Sequence, residues 1–215
     1  MNSSGNVALP RATNSFLRWC SRLCLLIGLA AIAWCVYSWV DARVDQIVQR
    51  RRFDAITLSK DLDPAPVVGR DVLVAPKLAI GSVLGQMEIP RIGISLMVVE
   101  GDSDPILRRA AGHLESTAIP GQPGNVAIAA HRDTFFRALR NIRDQDVITL
   151  STLTGTYRYQ VDSVEVVGPN ATEVLADSPQ PTLTLITCYP FYYVGPAPKR
   201  FIVHAQQLSS DSPAR

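Results

Sequence analysis

Cysteine is scarce in this chain: 215 residues contain four. Cys20, Cys24 and Cys35 lie in or beside an apolar N-terminal stretch, which leaves Cys188 alone in the remainder. It has no partner for a disulfide within its own domain, and no Cys-x-x-Cys pair is present for redox work or zinc. Positive charge is missing where a nucleic-acid binder needs it. Residues 1–60 hold eight Lys/Arg against three Asp/Glu, whereas residues 61–215 hold thirteen against sixteen, and this removes nucleic-acid binding. There is no internal repeat and no low-complexity segment. Nor is there a dense carboxylate cluster: Glu88, Glu100 and Glu115 are scattered and read as solvated faces. No metal or cofactor is expected. The length and the 47% hydrophobic content suit one compact domain with something attached.

Residues 23–40, LCLLIGLAAIAWCVYSWV, carry no charge at all. As a helix they extend about 27 Å, close to the roughly 30 Å of a bilayer's hydrocarbon core. Arg22 and Asp41 bracket the stretch, with Trp19 at one end and Tyr37 and Trp39 at the other, where amphipathic rings favour the interface. No small-x-small cleavage site follows, which favours a retained anchor over a cleaved signal peptide. Arg11, Arg18 and Arg22 point to a cytoplasmic N-terminus and an extracytoplasmic domain, although Arg43, Arg50, Arg51 and Arg52 beyond the span weaken that bias. The expected organisation is a cytoplasmic tail over 1–22, a transmembrane helix over 23–40, and a helical stalk with a Pro-containing linker over 41–83. A domain over 84–208 and a tail over 209–215 follow. Pro64, Pro66, Pro76 and Gly69 mark the linker, since proline blocks a continuing helix.

From about Leu84 the texture becomes short apolar runs punctuated by Gly and Pro: 86–89, 94–100, 125–130, 147–152, 157–167, 182–187 and 201–206. Several are rich in Val, Ile, Thr and Tyr, which is strand chemistry. Helical signals are short, at 104–110, 134–141 and 171–175, with Ser103 or Asp104 as a cap for the first. So many short strands imply a closed barrel or a sandwich, because other arrangements leave exposed edges.

Two of these runs deliver reactive side chains into loops. NVAIAAH ends on His131 and TLTLITC ends on Cys188. The loop YPFYYVGPAPK follows the cysteine and leads to Arg200 at the head of the last run. A thiol of ordinary pKa near 8.5 needs a base or cation to act as a nucleophile. A histidine supplies that base and later protonates the leaving amine. An arginine presents fixed donors to a developing oxyanion. Spacing alone does not bring the three together, so at this point Cys188 as a core residue, His131 as a loop residue and Arg200 as a surface cation stay open.

The motifs themselves resemble a known family. TLITC matches the Thr-Leu-x-Thr-Cys signature of sortases, the membrane-anchored cysteine transpeptidases of bacteria. GNVAIAAHRDTFFRAL resembles their histidine block, and TCYPFYYVGPAPKRFIVHA their cysteine-to-arginine segment, in wording closest to class D. The resemblance covers roughly 84–208 and implies a closed eight-stranded β-barrel with a few short helices. It implies Cys188 as nucleophile, His131 as acid/base and Arg200 as the stabiliser of substrate or oxyanion. It further implies cleavage of an LPxTG-like sorting signal on a protein substrate and transfer to an amine acceptor, either a cell-wall peptide or a pilin lysine. Some family members bind calcium, but no carboxylate cluster here supports it. His113 and His204 read as structural, and Asp133 is as well placed to meet Arg132 as His131. L,D-transpeptidases carry Gly before and Arg after the cysteine, where this chain has Thr187 and Tyr189. Papain-like proteases place the cysteine before the histidine, the reverse of the order here. A catalytically inactive, membrane-tethered barrel that only binds a partner is the remaining alternative.

Overall fold

The computed structural model describes residues 11–62 and 78–208. The chain divides into two compact units that meet at Asp41 and Ala42. The first consists of the N-terminal part of helix α1 (Arg11–Leu62). Within it Leu17–Tyr37 is long and apolar enough to cross a membrane, and its residues are unburied. This window begins six residues before the 23–40 stretch expected from charge alone, because Trp19 and Cys20 extend the apolar run past Arg18 and Arg22. The helix continues through the expected stalk to Leu62. The linker prolines and the tail over 209–215 lie outside the described residues.

The second unit is a closed barrel of eight strands: β1 (Val83–Ile89), β2 (Ile94–Glu100), β3 (Ala111–His113), β4 (Asn125–Ala129), β5 (Val147–Thr152), β6 (Thr156–Val167), β7 (Thr182–Tyr189) and β8 (Lys199–Gln207). Around the barrel the order is β1-β2-β3-β4-β7-β8-β6-β5. Closure pairs every strand on both sides, which satisfies backbone groups that an open sheet leaves at its edges. The pairs β2–β3 and β4–β7 are parallel and the rest antiparallel.

Strand alternation sorts the side chains. On β7, Leu183 and Leu185 enter the core with Val126 and Ile128 of β4 and Val203 and Ala205 of β8. Thr184, Ile186 and Cys188 therefore face outward. Phe136 and Leu139, from the segment that follows β4, are also fully buried in this core. Each such apolar side chain contributes about 1.5–3 kcal/mol by leaving water, and together they pin the segment after His131 to the barrel.

Seven strands coincide with the apolar runs of the sequence, while β3 has no counterpart there. Its three residues, Ala-Gly-His, form no apolar run, since alanine and glycine are weak strand formers. Gly112 is required at this place: a Cβ on it would lie 2.2 Å from the Gly101 carbonyl oxygen. The first helical signal shortens to α2 (Asp104–Leu107), with Ser103 at the cap position but without a side-chain cap bond. The other two become 3-10 turns at Arg137–Asn141 and Thr172–Leu175.

One expectation is corrected. Glu100 is not on a solvated face; it is 3% exposed and its Oε2 lies 2.8 Å from His113 Nδ1, itself 1% exposed. The β2–β3 register sets these two residues side by side. The His113 Nε2 lies 2.9 Å from the Ala118 carbonyl oxygen, so both ring nitrogens face acceptors. His113 is thus a structural clamp between β2, β3 and the loop that precedes β4.

Candidate active site

The site is built by strand register. β4 and β7 pair from Asn125 with Thr182 to Ala129 with Ile186. The same step carried two residues further sets His131 level with Cys188. Two contacts maintain that alignment past the strand end. The Ala130 N–H donates to the Ile186 carbonyl at 3.2 Å, and the buried Thr187 hydroxyl donates to the Ala130 carbonyl at 2.7 Å. On the other side β7 pairs antiparallel with β8, and Cys188 is the register partner of Arg200. Cys188 and Arg200 thus stand side by side on β7 and β8, with His131 two residues past the end of the neighbouring β4, and all three are half-buried.

The backbone around the row is held from several directions. The Phe136 N–H donates to the His131 carbonyl at 3.0 Å, closing a tight turn whose far end is the buried Phe136. The β7–β8 loop starts at a cis Tyr189–Pro190 bond. Its root is an aromatic cluster in which Phe191 meets Phe201 edge-on at 5.1 Å and Tyr189 stacks on Phe201 at 6.1 Å. Its tip is clasped by Arg132, the residue after His131. One guanidinium nitrogen, Nη2, donates to the carbonyls of Tyr193 at 2.6 Å and Gly195 at 3.0 Å. Arg140 adds a second hold, with its Cζ 5.5 Å from the Tyr192 ring centroid.

Arg200 bends onto its own loop. Its Nη1 donates to the Ala197 and Lys199 carbonyls at 3.3 and 3.1 Å. Asp133, exposed, makes no hydrogen bond to His131, so the row has no third member oriented through a carboxylate among the described residues. His204 shares the outward face with Arg200 and meets Glu165 at 3.0 Å and Thr184 at 3.4 Å. It is a satisfied barrel residue rather than part of the row. Six residues before His131, Asn125 anchors the β6–β7 loop: its Nδ2 donates to the Val174 and Ala176 carbonyls at 3.1 and 3.3 Å, while its Oδ1 accepts from Thr184 at 2.9 Å. Among the described residues no group of three or more His, Cys, Asp or Glu side chains is placed to hold a metal ion.

The roles of Arg132 and Asn125 were not visible in the sequence. Each bonds backbone carbonyls of a loop about 50 to 60 residues away, and a carbonyl carries no sequence signature. The placement of Arg132 directly after His131 was the one available hint.

Comparison with known proteins agrees with this architecture. A profile of the sortase domain matches residues 87–208. The chain belongs to the sortase family. Sortases are cysteine transpeptidases. Sortase D of Bacillus subtilis (strain 168) is 32% identical over 130 residues, a match that covers 60% of this chain and 66% of that protein. The chain therefore aligns with just under two thirds of that relative's length. Among solved structures, a Clostridium perfringens sortase D5 transpeptidase superposes with a TM-score of 0.61 at 24% identity, covering 79% of this chain and 99% of that one. This shows the shared fold. Sortase C1 from Streptococcus agalactiae gives a TM-score of 0.54 at 30% identity, covering 59% and 68%.

Proposed function

We propose that this sortase cleaves an LPxTG-like sorting signal through a thioester on Cys188 and transfers the acyl chain to an amine. The observation that carries the reading is that the β7–β8 register pairs Cys188 with Arg200, while His131 follows the end of β4, the parallel neighbour of β7. The Cys188 proton passes to His131, and the sulfur attacks the carbonyl carbon that precedes the scissile amide. As the C–N bond breaks, His131 returns the proton to the leaving amine. An incoming amine then attacks the thioester carbon. The C–S bond breaks, and the amine's proton goes to the His131–Cys188 pair. Arg200 supports the charge that develops on the carbonyl oxygen in both halves. Among the described residues its Nε and Nη2 have no hydrogen-bond partner, which leaves them to the substrate.

The N-terminal apolar helix, with its Leu17–Tyr37 stretch long enough to cross a bilayer, would serve as the anchor, with the residues before it on the cytoplasmic side and the barrel outside. Substrates would then be proteins bearing a sorting signal, and acceptors would be cell-wall peptides or pilin lysines. The test is intact-mass analysis of the full chain in detergent, mixed with a panel of sorting-signal peptides and no added amine. An adduct equal to the N-terminal acyl part of one peptide, absent in Cys188→Ala, supports the reading. No adduct and no cleavage from a folded chain would favour a barrel that only binds a partner.

A further inference from the structure

The two sides of the catalytic row differ in charge. Below it, at the Asn125 level of β4, lies the β6–β7 loop, residues 168–181, with Glu173 and Asp177 and no lysine or arginine. Six strand residues separate Asn125 from His131, about 20 Å at 3.3 Å per residue. Above the row, residues 131–143 carry Arg132, Arg137, Arg140 and Arg143 against a single acid, Asp133, and β8 opens on Lys199 and Arg200. This concentration is opposite in sign to the acidic excess of residues 61–215 as a whole.

Part of the basic segment forms a depression of about 510 Å³ lined by Arg91, Ile92, Arg140, Asn141, Ile142 and Arg143. Arg91 is neutralised there by a forked pair with Asp146. Asp144, next to Arg143, accepts the Gln145 N–H at 3.1 Å. Arg140 lies over the Tyr192 ring, a contact that leaves its charge uncompensated and ties the depression to the loop leading from Cys188. No acid lines the depression; the one carboxylate beside it, Asp146, is shared between the Arg91 fork and the Arg143 backbone N–H at 2.8 Å, so the three arginines Arg91, Arg140 and Arg143 still leave it a positive excess.

We propose that this arginine-lined depression receives carboxylates of the amine acceptor, so that the enzyme prefers acceptors bearing negative charge a few residues from the attacking amine. The inference rests on the transpeptidase reading above. Its physical basis is orientation: in a field positive at the depression and negative beyond the row, a zwitterionic acceptor turns its carboxylate to Arg143 and its amine toward Cys188. An anionic group held at Arg140 and Arg143 sits beside the β7–β8 loop, and a peptide of four residues reaches about 13 Å from it.

The experiment uses the full chain in detergent, a sorting-signal peptide that acylates it, and three acceptors of equal length: Gly-Gly-Gln-Gln-amide, Gly-Gly-Glu-Gln-amide and Gly-Gly-Glu-Glu-amide. The KM for acceptor should fall about threefold per carboxylate, the size of an exposed ion pair, and so about tenfold across the series. The gradient should flatten in 0.5 M salt, where the Debye length drops to about 4 Å, and in Arg143→Gln, and it should reverse in Arg143→Glu. Equal KM for all three acceptors, or a gradient that survives Arg143→Glu, would overturn the inference while acyl-enzyme formation still upholds the transpeptidase reading. Failure to form acyl-enzyme before any acceptor is added would overturn both.

Discussion

Replacing Arg132 by Met should open the β7–β8 loop without disturbing the strands on either side of it. The substitution keeps an unbranched stem and removes both bonds that Nη2 makes, to Tyr193 and Gly195. A typical intramolecular hydrogen bond contributes about 0.5–1.5 kcal/mol net, and a charged donor raises that figure while exposure to water lowers it. The two bonds together are therefore worth about 1–2 kcal/mol, or about a 5- to 30-fold rise in the open population. The root of the loop is held separately by Tyr189, Phe191 and Phe201, and the β7–β8 ladder pairs Cys188 with Arg200 independently of Arg132. Faster amide exchange should thus be confined to 192–197, with β7 amides unchanged. kcat/KM for a sorting-signal peptide should fall by at most that factor, in proportion to the closed fraction that is lost, because one wall of the mouth then spends less time in place. Arg132→Lys, which keeps the charge on a shorter head, should lie between the two. Exchange in 192–197 that matches the parent would show that Arg132 does not hold the loop. Acceleration spreading into Thr182–Tyr189 would show that the clasp supports the barrel itself.

Three further outcomes are expected. Arg200→Lys keeps a cation but loses the planar fork, so kcat/KM should drop on the order of 10²-fold, as for removal of an oxyanion donor; an unchanged rate in peptide cleavage assays would take Arg200 out of the mechanism. Tyr159 is fully buried and its hydroxyl has no hydrogen-bond partner among the described residues, and burial pushes its phenol above the ordinary value. Tyr159→Phe should therefore be neutral or stabilising by up to about 1 kcal/mol in urea unfolding, whereas a clear loss of stability would mean that the hydroxyl is satisfied. The Arg91 hydrogen bond holds the Asp146 carboxyl below its usual range. A depressed carboxyl stabilises the fold above its unfolded value, near 3.9, and that contribution disappears as pH falls through the folded value. The urea midpoints of the parent and Asp146→Asn should accordingly differ at pH 7 and converge below about pH 4; a difference that persists in acid would assign the stabilisation to packing.

The sequence carried the barrel because its strands obey local rules. TLTLITC alternates Leu183, Leu185 and Thr187 on one face with Thr184, Ile186 and Cys188 on the other, and β7 does the same, with Leu183 and Leu185 in the core and Cys188 outside it. The runs at 94–100 and 147–152 became β2 and β5 without change of boundary. What local rules miss is structure made by contacts between distant segments. β3 exists because Gly112 tolerates the approach of the Gly101 carbonyl and because Glu100 meets His113 across the β2–β3 pair. Neither fact has a periodic trace in AGH. Glu100 reads as a surface acid for the same reason: its partner lies 13 residues away, and the pattern of β2 shows no more than a polar residue at a strand end. The 134–141 stretch looks helical from its Phe, Ala and Leu residues. It is instead drawn into a turn by the Phe136 bond to His131 and by the burial of Phe136 and Leu139.

The candidate site was legible to the same extent and by the same logic. The sequence showed that His131 and Cys188 each end a strand, and it left open whether those strands touch. A parallel β4–β7 pair decides this, since parallel neighbours end at the same side of a sheet and deliver their last residues to one rim. An antiparallel pair of the same two strands would have put the histidine and the thiol at opposite ends, roughly 20 Å apart for six residues at 3.3 Å each. Arg200 follows from the opposite case. β8 runs antiparallel to β7, so the arginine reaches the rim by standing at the start of its strand instead of the end. The order of residues along the chain, a strand-terminal His, a strand-terminal Cys and a strand-initial Arg, is therefore what this barrel topology requires for the three to share one row. Shifting β7 by a single residue against both neighbours would turn Cys188 into the core and Thr187 outward. The buried Thr187 hydroxyl, bonded to the Ala130 carbonyl at 2.7 Å, is the contact that opposes such a shift.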